Sequence, residues 1–160
     1  MVAILHNIRS AHNVASIFRT ADGAGVQKLY LCGITPGPLD VFGRNREDFA
    51  KVALGAEKAV SFEKVARTAD CIRRLKAAGY FVCALELAPG AVPYCDAVFL
   101  KAHAGKIAIV VGHETEGIPK RILARCDAVV SIPMRGMKES LNVSVAFGVI
   151  AFEMARYRLS

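Results

Sequence analysis

Residues Ser131 to Glu153 read SIPMRGMKESLNVSVAFGVIAFE: a short β-branched run, a polar loop with Arg135, Lys138 and Glu139, then a nearly unbroken apolar helix from Ser140-Leu141-Asn142 onward. Polar groups therefore stand where a buried helix begins. The first turn of a helix leaves backbone N–H groups without internal partners and carries the positive end of the dipole, so it suits a cap or a ligand. Ser140 alone reads as an ordinary N-cap. An Asn two positions later asks for more, because helix interiors disfavour Asn and the residues after it are almost all apolar. On these residues alone, Ser140 and Asn142 also read as nothing more than a capped, solvated helix end.

Leu141, Val143, Val145, Ala146, Phe147, Val149, Ile150 and Phe152 cover more than one face of that helix. A helix apolar nearly all round needs cover on several sides, and in 160 residues the second cover is expected to be another subunit, giving a homodimer. Ala128 to Ile132, before it, reads as the last strand. Ile107 to Val111, IAIVV, is a short β-branched strand between Gly105 and Gly112. Val2 to Leu5, Gln27 to Cys32 and Tyr80 to Leu85 read as further strands. Between them, Asn13 to Ala24 carries Val14, Ile17, Phe18 and Ala21 at helical spacing, with Asn13 as its cap and Gly25 as its stop. Val60-Ser61 and its neighbours read as a short extended piece, Ser61 or Thr68 can open helical segments running to Ala78 with Gly79 as the stop, and Pro119 suits the first turn of PKRILARC. Asp96 to Ala102 is left open by its spacing. Strands alternating with helices predict one α/β domain over residues 1–160 with a mainly parallel sheet.

Lys plus Arg number 21 against 14 for Asp plus Glu, a formal net charge of +7. That excess favours a polyanionic partner without proving one. Basic residues gather near expected loops, among them Arg9, Arg19, Arg44, Arg46, Lys51, Arg135 and Lys138. Gly33 to Asn45, with three glycines and two prolines, predicts an irregular exposed loop, either part of an RNA-facing rim or simply solvated. Leu141 to Met154 is interrupted by Asn142, Ser144 and Glu153 and falls short of the ~20 residues a bilayer needs. The N-terminus lacks the pattern of a signal peptide, so a cytoplasmic protein with no membrane partner is expected. The five cysteines form no C-x-x-C pair and read as buried thiols.

Three stretches carry chemistry: Asn13-Val-Ala-Ser-Ile-Phe-Arg19 before Gly25, Val111-Gly112-His113-Glu114-Thr-Glu-Gly117-Ile-Pro, and the opening stretch. His113-Glu114 is not a zincin motif because position 117 is Gly, and the glycines do not form a dinucleotide-binding turn. Arg19, read alone, is also compatible with a plain surface arginine. Together, in this order and spacing, the three stretches resemble the signature motifs of the SpoU/TrmH branch of the SPOUT RNA methyltransferases, and they frame nearly the whole chain.

The resemblance implies a SPOUT α/β domain whose C-terminal part is threaded into a deep trefoil knot, which periodicity alone would not suggest. It implies that S-adenosylmethionine is bound through three loops, at Leu85, at Gly112, Glu114 and Gly117, and at Ile132, Met134, Ser140 and Leu141. The implied reaction moves a methyl group to a ribose 2′-hydroxyl of RNA, an aligned displacement that calls for no metal. The family assigns hydroxyl activation to the residue matching Arg19. A guanidinium is a poor base, so stabilising the developing alkoxide or fixing the neighbouring phosphate is an equally good role. Asn13 would orient the arginine or the ribose, and Glu114, Ser140 and Asn142 would hold the site by hydrogen bonds. The family site forms across a dimer interface, which leaves open whether Arg19 serves its own subunit's donor or its partner's. The chain starts almost at the first motif and ends with the last helix, so no extra RNA-binding domain is expected; such minimal relatives tilt the substrate toward tRNA over rRNA, with no DNA partner. Two other readings remain: a non-catalytic RNA-binding module on the same fold, and an unrelated nucleotide-using oxidoreductase, disfavoured by the absent glycine fingerprint.

Overall fold

A computed structural model describes residues 1–103 and 105–157. Among these, one sheet contains β1 (Val2–His6), β2 (Lys28–Cys32), β3 (Ser61–Val65), β4 (Phe81–Leu85), β5 (Val92–Pro93), β6 (Ile107–Val111) and β7 (Ala128–Ser131). Their order across the sheet is β3-β2-β1-β6-β4-β7-β5, with parallel pairing throughout. The helices are α1 (Ala11–Gly23), α2 (Glu47–Ala53), α3 (Ala56–Ala59), α4 (Thr68–Ala77), α5 (Ala97–Ala102), α6 (Lys120–Leu123) and α7 (Val143–Arg156).

Strand alternation explains why IAIVV has no polar face. Ile107, Ile109 and Val111 join one apolar cluster with Val14, Phe18, Phe49, Phe147 and Ile150, under α1, α2 and α7. Ala108 and Val110 join the opposite cluster with Ile72, Leu75 and Ile122, under α4 and α6. Both faces of the central strands are therefore covered, as parallel sheets require. Phe18 anchors the first cluster through edge contacts with Phe49 and Phe62, at ring-centroid separations of 5.3 and 5.6 Å. Because the strands run parallel, their C-terminal ends share one edge, where ligands of such sheets bind.

Several expected boundaries move. Ser10, not Asn13, caps α1: its Oγ accepts from the Asn13 backbone N–H at 3.2 Å, which leaves the Asn13 side chain free for other work. Asn142, not Ser140, caps α7, and Ser140 and Leu141 lie in the segment before it. The extended piece expected around Val60-Ser61 is the edge strand β3, and of the two helical starts offered only Thr68 is used. The undecided segment resolves as α5, capped by Asp96, whose Oδ1 accepts from the Phe99 N–H at 2.8 Å. Pro119 sits at the N-cap position of α6, which runs only four residues. Three cysteines, Cys32, Cys71 and Cys83, are buried, whereas Cys95 is exposed and Cys126 half-buried.

The loop after β2 is irregular but ordered. Asp40 Oδ1 accepts from the N–H groups of Phe42 and Arg44, and the Arg44 guanidinium lies 4.9 Å from the exposed Phe42 ring. On α7, Phe147, Ile150, Ala151 and Met154 are buried, while Val145 and Phe152 are about half exposed, at 52% and 53%. No helix among the described residues is long and apolar enough to cross a membrane.

Candidate active site

The loop from Gly112 to Ile118, leaving β6, is folded tightly back on itself. A methyl group on Gly112 would stand 2.6 Å from Ile118 Cγ1 and 2.7 Å from the Gly117 carbonyl, so only glycine fits. Gly117 has a φ of +64°, and its N–H donates to the His113 carbonyl at 3.0 Å. His113 Nδ1 accepts from the N–H groups of Thr115 and Glu116, both at 3.2 Å. From the end of β4, Glu86 clamps the same loop: its carboxylate accepts from the Ile118 N–H at 2.7 Å and the Leu87 N–H at 3.0 Å.

That loop aims Glu114 at the start of α1. Its carboxylate accepts from the backbone N–H groups of Arg9 at 3.1 Å and Ser10 at 3.0 Å, and from Asn13 Nδ2 at 3.0 Å. Burial pushes the Glu114 carboxyl upward, but these donors outweigh it and hold the carboxyl below its ordinary value. Asn13, buried at 8% exposure, then accepts through Oδ1 from Asn142 Nδ2 at 3.1 Å. Asn142 Oδ1 accepts in turn from the Ser144 N–H at 2.9 Å and hydroxyl at 2.7 Å. A carboxylate that can only accept stands at one end and a backbone N–H that can only donate at the other, so both amides have one orientation. Three elements distant in sequence are thus locked together where β1, β6 and α7 meet.

Beside this chain of bonds lies a cavity of about 230 Å³. Leu85, Gly112, Glu114, Gly117, Ile132, Met134, Ser140 and Leu141 all line it, so every residue expected to touch a methyl donor faces one space. Glu86, Glu116 and Glu139 join Glu114 in the wall, and no Lys or Arg among the described residues does. Among the catalytic candidates, Asn13, Glu114 and Asn142 are bonded in series and Ser140 lines the cavity. Arg19 does neither. It is exposed on α1, six residues past Asn13, about 9 Å along the axis and roughly 120° around it.

The sequence reading missed Glu86 and Ser10. Ser10 stood three residues before Asn13, an ordinary cap spacing that the more conspicuous Asn obscured. Glu86 carried a weaker signal, a single acid directly after the buried run YFVCAL.

Comparisons with known proteins bear on the family and the fold. The 23S rRNA guanosine-2′-O-methyltransferase of Ralstonia nicotianae is 36% identical over 159 residues, 99% of this chain and 59% of the relative. The chain thus spans about three fifths of that relative's length. The tRNA guanosine(18)-2′-O-methyltransferase of Aquifex aeolicus is 30% identical over 99% of this chain and 70% of its own. The AdoMet-bound rRNA methyltransferase from Sinorhizobium meliloti superposes with a TM-score of 0.86 at 31% identity, over 99% of this chain and 57% of that one. The model of the SpoU rRNA Methylase family matches residues 1–152. By sequence, fold and the arrangement of its three signature loops, the chain belongs to the SpoU rRNA methylase family.

Proposed function

We propose that this chain is an S-adenosylmethionine-dependent RNA methyltransferase acting on a ribose 2′-hydroxyl. The observation that carries the reading is the cavity at the ends of β4, β6 and β7. Glycine backbone at positions 112 and 117 leaves room for close approach, Leu85, Ile132 and Leu141 offer apolar surface, and four glutamates provide an acidic wall. Such a wall suits a ligand bearing an ammonium and a sulfonium. Bound there, S-adenosylmethionine supplies an electrophilic methyl group. The C-terminal segment is threaded in this reading as the resemblance implies, so that residues 132–142 wrap the donor.

The residues of the chain position and screen. Glu114, Asn13 and Asn142 hold the loops around the cavity in one register, and Ser140 offers a hydroxyl at its rim. The 2′-hydroxyl must lose its proton as it attacks, and a permanent guanidinium can stabilise the alkoxide that develops. Arg19 fills that role from a second subunit. Supporting this, α1 lies against α7: the Phe152 ring reaches within 3.4 Å of the Cβ position of Gly23, and Thr20 within 3.6 Å of that of Gly148. A homodimer that covers the exposed Val145 and Phe152 would carry Arg19 toward a neighbouring cavity. The loop of residues 33–45 belongs to the RNA-facing rim, tRNA is the favoured substrate over rRNA, and the enzyme works in the cytoplasm.

The distance of Arg19 from its own cavity favours one competing reading, a non-catalytic RNA-binding module. Two measurements separate them. Calorimetry with S-adenosylmethionine should show saturable binding, and tritium should pass from labelled donor into bulk tRNA or rRNA. Donor binding with no transfer to any RNA leaves the binding module standing; no donor binding removes the methyltransferase.

A further inference from the structure

The parallel sheet opens a second hollow on the same edge as the donor cavity, across the end of β1. It measures about 410 Å³ and lies between the ends of β1 and β2, the start of α4, and α6. Among the described residues its wall contains three arginines, Arg67, Arg121 and Arg125, and no Asp or Glu. We propose that this cleft binds a phosphodiester of the substrate RNA, holding the strand beside the nucleotide whose ribose is methylated. The proposal rests on the RNA-methylation reading above and adds a site to it.

Charge is the first argument. Arg67 is held by Asp70, with Nε 2.8 Å from Oδ2. The guanidinium groups of Arg121 and Arg125 have neither a hydrogen bond nor an ion pair with any described residue; the Asp70 carboxylate that holds Arg67 also acts on Arg125 through space, so Arg125 is partly balanced while Arg121 faces the cleft unpaired among the described residues. Backbone is the second. The first-turn N–H groups of Thr68 and Ala69 border the cleft without acceptors among the described residues, and no side chain caps this ten-residue helix. Guanidinium forks and free amides converging on one hollow match phosphate oxygens.

Position is the third argument. His6, buried at the end of β1, bonds through Nδ1 to Thr68 Oγ1 at 2.6 Å and so forms the floor of the cleft. Burial, then Arg121 on the cleft side and His113 on the donor side, all disfavour its protonation. His113 is itself part of the donor cavity wall. Because β1 and β6 are paired neighbours, the hollow at the end of β1 lies beside the donor cavity at the end of β6, and an RNA strand crossing the sheet edge can reach from one to the other.

The test is the salt dependence of RNA binding by the full chain, using labelled bulk tRNA and rRNA fragments. Four proteins are compared: wild type, Arg121→Ala/Arg125→Ala, Arg121→Lys/Arg125→Lys, and Lys58→Ala, which alters an exposed lysine on α3 away from the cleft. Removing two phosphate contacts should lower the slope of log Kobs against log salt by about 1.4 and weaken binding about tenfold or more at low salt. The lysine pair keeps the charge and should restore most of the slope. Lys58→Ala should change neither, and affinity for S-adenosylmethionine should be equal in all four. An unchanged slope in the alanine pair, with wild type still binding RNA, overturns the cleft and leaves the methyltransferase intact. Equal losses in Lys58→Ala also overturn it, since diffuse charge would then suffice. If inorganic phosphate occupies the cleft while RNA affinity ignores both arginines, the ligand is a free anion and the RNA assignment fails. Wild type that neither binds RNA nor transfers methyl groups removes both proposals.

Discussion

Glu114→Gln tests the keystone of the hydrogen-bonded chain. The substitution keeps the shape and removes the charge. With the Gln oxygen facing Ser10 and Asn13, two hydrogen bonds survive in neutral form, while the new NH₂ meets the Arg9 N–H across 3.1 Å, donor against donor. The opposite rotamer would strand two donors and is worse. Losing charge assistance on two bonds and one bond outright, part of it exposed, should cost about 2 kcal/mol. In a chain of this size that lowers the melting temperature by roughly 4–8 °C. The sign with pH follows from the depressed carboxyl: folding favours the ionised form, so the stabilisation is complete above the ordinary glutamate value and is lost as pH falls through the lower folded value. Thermal unfolding followed by circular dichroism, at one protein concentration, should show the gap between wild type and Glu114→Gln at neutral pH. The gap should narrow as pH drops below about 4.3. A neutral-pH difference within about 1 °C, or a gap that stays constant through the acid range, refutes the keystone role.

Arg19→Ala should abolish methyl transfer while leaving S-adenosylmethionine affinity within a few fold; retained turnover would remove Arg19 from the mechanism. Asn142→Ala should cost about 1 kcal/mol through the lost cap. Asn142→Asp keeps that cap but sets a charged acceptor against Asn13 Oδ1 across 3.1 Å, so it too should lower the melting temperature, by about 1–2 kcal/mol of stability, and a melting temperature equal to wild type would show that the bond to Asn13 carries no weight. Gly112→Ala drives a methyl group into the Gly117 carbonyl, and it should destabilise by about 1–3 kcal/mol and weaken donor binding by calorimetry more than tenfold.

The alternation of strands and helices was readable because the central strands are short, almost wholly apolar runs, clearest in IAIVV before Gly112, and burial on both faces erases any polar stripe. Helix starts were less readable. Ser10 and Asn13 both satisfy cap preferences, as do Ser140 and Asn142, and propensity cannot tell which is used when the other is bonded across the fold. β5 is two residues long, and α6 only four, too short for any period to register. The candidate donor loops were legible through their motifs, yet the bond from Asn142 to Asn13 could not be, since nothing in local spacing reports a contact between residues 129 apart. The arginine-lined cleft was invisible for the same reason: Arg67, Arg121 and Arg125 come from separate segments and converge only when β1 lies between β2 and β6.

The tie between Asn13 and Asn142 also has a bearing on biosynthesis. During translation Asn13 emerges long before its counterpart, so the first helix and the acidic loop must wait, partly assembled, until Asn142 follows 129 residues later. Chains halted before Asn142 leaves the ribosome should therefore be unable to close this tie, and the acidic loop should become protected only once Asn142 has emerged, when loop-closure entropy over more than a hundred residues is overcome.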